Sequence, residues 1–358
     1  MKKLIVSLLL SVTVILTAAG CGKEQQADAK DEVTAVEETV VAEGAEAVTG
    51  EAEENTEAKP EVENIEETSG PVSFTDALGR QVTVENPKKV AVLLGSFADV
   101  WTLAGGEVAV TVKDAWTSFD LGLSETTVNV GSFMEPDLEK LFEAEPDFII
   151  ASAGTSAQVE LLDTFETSGV TVAYFEVSDF DDYLNMLGIC TRITGNTENY
   201  EKYGTSVAAA IDDIREKAKQ DLDAKLAGGE KAPTVLFIRA AASSVKAKGS
   251  EGTVGGEILA DLGTINITDG DTALLDDLSL EAIVAADPDY IFVTTQGEDK
   301  EAALANVADL LSNNPAWSEL SAVKSGRYFE IEKELYNSKP NARWGEAYEK
   351  LANILYGE

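Results

Sequence analysis

Between residues 71 and 358 the apolar positions change period in a regular way. Val72-Ser-Phe-Thr75 and Gln81-Val-Thr-Val84 alternate apolar with polar about Gly79, the pattern of a two-stranded hairpin with one buried face. Val90-Ala-Val-Leu-Leu94 is apolar throughout, as a strand covered on both faces must be. Helical spacing follows over residues 98–104, and short strand patterns recur at Val108–Val112, Thr127–Val130, Phe148–Ala151 and Val170–Phe175. Strands alternating with helices predict a parallel sheet with helices on both faces over residues 71–178. From 179 to 230 the pattern is helical only. Residues 197–226 contain no proline and one glycine, Gly204, and an uninterrupted helix of that length spans about 45 Å. Pro233 ends this connector, and Thr234–Arg239 restarts the strand rhythm, followed by strands at Tyr290–Thr294 and Arg327–Ile331. Helices are expected over 257–262, 302–311 and 342–355, with Pro340 near the start of the last, so residues 231–358 form a second α/β lobe.

The two lobes carry an echo of each other. Met134-Glu-Pro-Asp-Leu-Glu-Lys-Leu-Phe-Glu-Ala-Glu-Pro-Asp-Phe-Ile-Ile150 is answered by Asp277-Leu-Ser-Leu-Glu-Ala-Ile-Val-Ala-Ala-Asp-Pro-Asp-Tyr-Ile-Phe292 at one offset of 142 residues. Each copy reads as a short amphipathic helix, a Pro-Asp turn that ends it, and an apolar strand. The expected fold is therefore α/β, two Rossmann-like lobes joined by a single long α-helix, with a ligand cleft between them. Glu139 and Glu281 occupy matching places in the first turn of the two helices, where the helix dipole favours a carboxylate.

Residues 1–20 have a basic start and an apolar run too short for a stable membrane span, the form of an export signal. The run closes in Thr17-Ala-Ala-Gly-Cys21, which resembles the lipobox of bacterial lipoproteins, although Ala18 stands where leucine is commoner. That resemblance implies cleavage before Cys21, acylation of its thiol and new amino group, and retention on the membrane by the chains alone. Residues 22–70 hold 16 acids against three lysines and almost no aromatics, so a disordered, self-repelling tether is expected over 21–70. Cys190 remains as the other thiol, and its apolar setting in Tyr183-Leu-Asn-Met-Leu-Gly-Ile-Cys190 favours a small buried hydrophobe.

Charge and composition narrow the chemistry. The chain carries a formal charge of −38, with 49 acids against 22 bases in residues 71–358, so no basic stripe exists for nucleic acid. It contains no histidine, which removes imidazole ligands and imidazole bases. No Gly-rich phosphate fingerprint is present. Gly255-Gly256 reads as a helix-start turn, with close approach to a ligand as the other possibility.

Thr75-Asp-Ala-Leu-Gly-Arg-Gln-Val-Thr-Val84, Gly131 through Leu-Glu139 to Pro-Asp147, Leu-Glu281 through Pro-Asp289, and Lys339-Pro-Asn-Ala-Arg-Trp-Gly-Glu-Ala-Tyr348 together resemble the substrate-binding lipoproteins of ABC importers for ferric siderophores, cobalamin and haem. The resemblance covers residues 73–358. It implies a monomer anchored through Cys21 on the extracellular face of the bacterial cytoplasmic membrane, delivering a small-molecule metal chelate to an ABC permease dimer with its ATPase. It also implies that Glu139 and Glu281 dock on arginines of the permease. No catalytic residue, resident cofactor or bare metal site is expected.

In open α/β sheets ligands bind beyond the carboxyl ends of the strands. The first lobe then offers Ser96, Phe97, Trp116 with Phe119, Ser132, Phe133 and Thr155, and the second offers Arg239, Gln296, Tyr336, Arg343 and Trp344. Arg239 ends an apolar strand, where its guanidinium would pair with carboxylate or catecholate oxygens of a ferric chelate, with haem propionates, or with a structural acid. An anionic ferric siderophore is the preferred ligand, provided the cleft is locally basic. Cobalamin needs no basic cleft, and haem would need a tyrosine or methionine axial ligand. An enzyme or a surface interaction protein on the same scaffold is the competing class.

Overall fold

The structure, a computed structural model, describes residues 70–270 and 278–357. The expected signal, the tether before residue 70, Cys21 and the first residue of the second echo, Asp277, lie outside the described residues.

The hairpin of β1 (Val72–Thr75) and β2 (Gln81–Val84) is antiparallel and pairs Val72 with Val84. Asp76 fastens it to the first lobe. Its buried carboxylate accepts from the backbone N–H of Leu78, Arg80 and Tyr174 and from the Arg80 guanidinium, which lies over the Tyr174 ring. A carboxylate with that many donors fixes both the turn and its seat on the sheet.

The first lobe then runs β3 (Val90–Val92), α1 (Gly95–Leu103), β4 (Val108–Thr111), α2 (Asp114–Thr117), β5 (Val128–Asn129) and a small hairpin, β6 (Gly131–Ser132) with β7 (Glu135–Pro136). It continues with α3 (Leu138–Glu143), β8 (Phe148–Ser152), α4 (Ser156–Val159), α5 (Leu162–Ser168) and β9 (Thr171–Phe175). The sheet order is β5-β4-β3-β8-β9, all parallel. Val90, Val92 and Ile150 face one core and Ala91, Ile149 and Ala151 the other, which is why these strands read as unbroken apolar runs.

Next come α6 (Phe180–Thr194) and the connector, residues 197–227, built of α7 (Thr197–Tyr200), a wide turn at Glu201–Thr205 and α8 (Ser206–Ala227). It is the single long helix, 31 residues, that joins the lobes. The wide turn contains the buried Gly204, and the Tyr203 carbonyl there accepts from Tyr183 Oη at 2.9 Å, as expected where the helical ladder is locally released.

The second lobe comprises β10 (Thr234–Ala241), β11 (Ser244–Lys248), α9 (Val254–Asp261), β12 (Ile265–Asn266), α10 (Leu280–Ala286), β13 (Tyr290–Thr295), α11 (Lys300–Val307), α12 (Ser321–Lys324), β14 (Tyr328–Ile331), α13 (Lys333–Tyr336) and α14 (Trp344–Tyr356). Strand β10 pairs in parallel with β12 and β13, β13 with β14, and β11 returns antiparallel beside β10. The hairpin to β11 departs from the all-parallel expectation. Ser244-Val-Lys-Ala-Lys248 alternates polar with apolar, the signature of an edge strand wet on one face. Helix α9 starts at Val254, so Gly255 and Gly256 lie inside its first turn. A Cβ on Gly255 would sit 2.5 Å from the Phe237 ring, and one on Gly256 2.2 Å from the Gly249 carbonyl. These glycines allow helix and sheet to approach closely.

The echo survives in three dimensions and extends further than the sequence suggested. Asp137 and Ser279 cap α3 and α10 by accepting from Lys140 N and Ala282 N. Glu145 and Asp287, again 142 apart, both take positive φ, 51° and 43°. Asp147 accepts from the N–H groups of Lys88 and Lys89, and Asp289 from N–H and Oγ1 of Thr234, so each Pro-Asp turn anchors the start of its lobe's first parallel strand.

One core runs through both lobes. Val92 and Phe175 of the first sheet, Met186 of α6, Ile211 of the connector, Phe237 of the second sheet and Leu351 of α14 belong to one buried cluster. Cys190 is fully buried there, and burial pushes its thiol pKa up.

Candidate functional site

The carboxyl ends of both sheets open on one cavity of about 550 Å³, within the range of small-molecule sites. Its first-lobe wall is formed by the turns after β3, β4 and β5, and its second-lobe wall by the ends of β10, β13 and β14. Of the residues expected there, Ser96, Ser132, Phe133, Arg239 and Gln296 line it, with Phe119 beside them.

Six expected residues do not. Phe97 follows Ser96 in the first turn of α1, and its ring turns the other way into the core, 1 % exposed. Trp116 is partly buried against that same core from α2, held there by the fully buried Ala115. Thr155 precedes α4, and its Oγ1 donates to Ser152 Oγ at 3.1 Å. Tyr336 is buried and donates to the Ala347 carbonyl at 3.1 Å. Trp344 is 0 % exposed and meets Phe180 edge to face at 5.9 Å, so losing its ring would cost about 3–5 kcal/mol of stability. Arg343 is exposed and closes on Glu346 through Nε at 2.7 Å and Nη2 at 3.0 Å, holding the Glu346 carboxyl down at about 2. These aromatics fill the joint beneath the cleft, because burying a large ring is worth more there than at a wet wall.

The cleft also presents residues that sequence reasoning missed. Lys113 follows β4 directly, Lys333 begins the helix after β14, and Lys339 lies in the segment leading to α14. With Arg239 they make four cations, against the carboxylates Asp114 and Glu298. The rule that placed Arg239 at a strand end would have found Lys113 and Lys333 as well. Lys113 Nζ pairs with Glu298 Oε1 at 2.9 Å from the opposite lobe, and that hydrogen bond holds the Glu298 carboxyl below its ordinary range. Lys333 Nζ donates to the Gly297 carbonyl at 3.1 Å. Burial holds Arg239 below its ordinary pKa, and among the described residues it makes no ion pair.

Asp114 caps α1 from outside the helix by accepting from Gly95 N at 3.1 Å. Its Oδ1 is buried without a partner, and burial raises its pKa. Gln158, fully buried, knits three strand-end turns together. It accepts from Ser152 N and donates to the carbonyls of Leu93 (2.7 Å) and Phe133 (3.0 Å), which fixes the backbone that carries Phe133 to the cavity. Asn341 pins the floor across the lobes through Nδ2, which donates to Ser96 O and Asp99 Oδ2, each at 2.8 Å.

Away from the cavity, Glu139 and Glu281 are both exposed in the first turns of α3 and α10, as their matched sequence positions require. No group of three or more Cys, Asp or Glu side chains suited to a metal ion occurs among the described residues. No described helix is long and apolar enough to cross a membrane.

The periplasmic binding protein family profile matches residues 90–335. The iron-uptake system-binding protein of Bacillus subtilis is 24 % identical over 352 residues, covering 98 % of this chain and 96 % of that one. The Fe(3+)-citrate-binding protein YfmC of the same organism is 28 % identical over 270 residues, 73 % of this chain and 78 % of its own. Among solved structures, Staphylococcus aureus SirA complexed with staphyloferrin B shares the fold with a TM-score of 0.59 at 21 % identity, covering 80 % of this chain and 97 % of that chain.

Proposed function

The chain belongs to the periplasmic binding protein family, and on that premise we propose that it captures an anionic ferric chelate of the siderophore type and delivers it to an ABC permease. The observation that carries this reading is the charge of the cleft. In a chain of formal charge −38, the cavity between the lobes gathers four cations and two carboxylates, one of them spent on Lys113. A hexadentate oxygen-donor chelate of iron presents anionic oxygens on its surface, and guanidinium and ammonium groups in a partly desolvated cavity bind such oxygens strongly. The relatives named for iron uptake and ferric citrate support the same class.

Cobalamin and haem remain the alternatives on this scaffold. Haem is disfavoured because, among the described residues, the cavity wall contains neither tyrosine nor methionine to ligate its iron. An enzyme is disfavoured too, since among the described residues no hydroxyl of the wall is hydrogen-bonded to a carboxylate or lysine side chain that could act as its base.

In the same reading Cys21 is lipidated and holds the protein on the extracellular face of the membrane, residues 22–70 act as a tether, and Glu139 with Glu281 meet basic sites on a two-fold symmetric permease served by its ATPase. Cys21→Ser should release the protein into the medium. The ligand assay is a titration of the lipid-free protein, residues 70–358, with ferric siderophores, cobalamin and haem by tryptophan quenching. Silence with all three sinks the proposal.

A further inference from the structure

The four cations of the cleft divide into two pairs. Lys113 and Lys333 are engaged, one with Glu298 across the mouth and the other with the Gly297 carbonyl. Arg239 and Lys339 are not: among the described residues neither makes a hydrogen bond or an ion pair. Lys339 is half-buried in the cavity wall, and that burial, reinforced by the charge of Arg239, holds its ammonium below the ordinary lysine range. Glu176 and Asp182 act on it in the opposite sense from β9's end and α6, yet neither is bonded to it. Asp182 instead accepts from Ser178 N at 2.8 Å, and the Glu176 side chain is exposed.

Withdrawing an ammonium even partly from water is unfavourable, and a second cation nearby adds repulsion. A methionine of similar length would fill the space without either cost. The arrangement is stable in use only if something anionic enters. A single carboxylate would quench one charge and leave the other, so the two unpaired cations are matched by a chelate that carries at least two carboxylate groups on one side.

We propose that Lys339 and Arg239 together form the subsite that selects the ligand: they take paired carboxylate oxygens of a net-negative ferric chelate, and Lys339 sets the preference for that class over neutral chelates. This rests on the reading of the cleft as a solute site. It assigns the lysine of the Lys339-Pro-Asn motif to recognition, while Asn341 two residues on holds the same segment to the first lobe.

The test uses the full-length chain in detergent, titrated with ferric citrate and with a neutral ferric trihydroxamate, following tryptophan fluorescence. Wild type should prefer ferric citrate. Lys339→Gln should weaken ferric citrate by about 30-fold or more while changing the trihydroxamate by less than about threefold, and Lys339→Arg, which keeps the charge, should stay within about fivefold of wild type. The thermal midpoint of Lys339→Gln should not fall, because a buried amide is less costly than a buried ammonium. Unchanged ferric citrate affinity in Lys339→Gln overturns the proposal and leaves the solute-binding role standing, as does an equal loss of both probes. A wild type that binds cobalamin or the neutral trihydroxamate but not ferric citrate also removes the anion subsite alone. A wild type that binds none of the four removes the solute-binding role with it.

Discussion

Asn341→Ala is the substitution whose cost can be worked most directly from the geometry. Asn341 is 0 % exposed and sits at φ 52°, a left-handed conformation that asparagine tolerates and alanine resists by about 1 kcal/mol. Its Nδ2 spends both hydrogens across the lobe boundary, on Ser96 O and on Asp99 Oδ2. Losing a bond to a carboxylate costs about 1.5–3 kcal/mol and losing one to a carbonyl about 1 kcal/mol. Against this, Asn341 Oδ1 is itself buried without a partner, so removing the amide recovers about 1 kcal/mol. The balance is a loss of about 3 kcal/mol for Asn341→Ala and about 2 kcal/mol for Asn341→Gly, which meets no strain at positive φ. Urea denaturation with linear extrapolation resolves the difference. Burial, partly offset by the Asn341 hydrogen bond, raises the Asp99 pKa, so the folded state binds a proton more tightly there than the unfolded chain does. That contribution favours folding below the unfolded pKa and is lost as pH rises through the raised folded value. Asn341→Asp, which sets a second carboxylate against Asp99, should steepen this fall. An alanine variant within about 0.5 kcal/mol of wild type, or an aspartate variant with an unaltered pH profile, refutes the reasoning.

Four further outcomes follow from the same geometry. Glu139→Ala combined with Glu281→Ala should leave ligand affinity intact and abolish uptake in cells; normal import by the double variant would remove the docking role. Because Lys113 holds the Glu298 carboxyl below its ordinary range, the pair across the cleft mouth persists above the ordinary carboxylate pKa and is lost as pH falls through the lowered value; spin labels on the two lobes should report wider separation in acid and at high salt, and Glu298→Gln should remove the pH response. The Cys190 thiol should resist alkylation in the native protein and react only on unfolding, since it is fully buried with its pKa pushed up; rapid native labelling would contradict the burial. Lobe rotation between free and loaded protein should stay below about 20°, because a 31-residue helix and the Asn341 pin resist hinge closure; small-angle scattering showing a larger change would refute this.

The fold was legible because its strands are buried on both faces and its connector is helical without interruption, two patterns that burial imposes directly on residue choice. The echo was legible for a related reason: Asp147 and Asp289 each anchor the start of a neighbouring strand, so the Pro-Asp step recurs wherever that anchor does. The cleft was legible only in part. Arg239 was found because a charged residue closing an apolar run stands out. Phe97, Tyr336 and Trp344 were misplaced because aromatic rings suit a core and a cleft wall equally by composition, and only the direction of the side chain separates the two. Lys339 and Asn341 act through a segment that folds back to Ser96, 245 residues away for Asn341, and no local pattern encodes that return.

A formal charge of −38 opposes the approach of an anionic ligand, and distance resolves the conflict. At physiological ionic strength charges separated by more than about 8 Å are largely screened where solvent lies between them, so the acids spread over the outer surface contribute little inside the cleft. Arg239 and Lys339 line the cavity itself, in a partly desolvated wall where screening is weak. On the proposed reading, affinity is set by a few local cations and the net charge governs approach. An anion is slowed on its way in, and its capture should quicken as salt rises even while its affinity falls. A basic docking surface would be drawn in by the same field, so under the proposed docking the acidity that hinders the small ligand would assist the encounter of Glu139 and Glu281 with arginines on a permease.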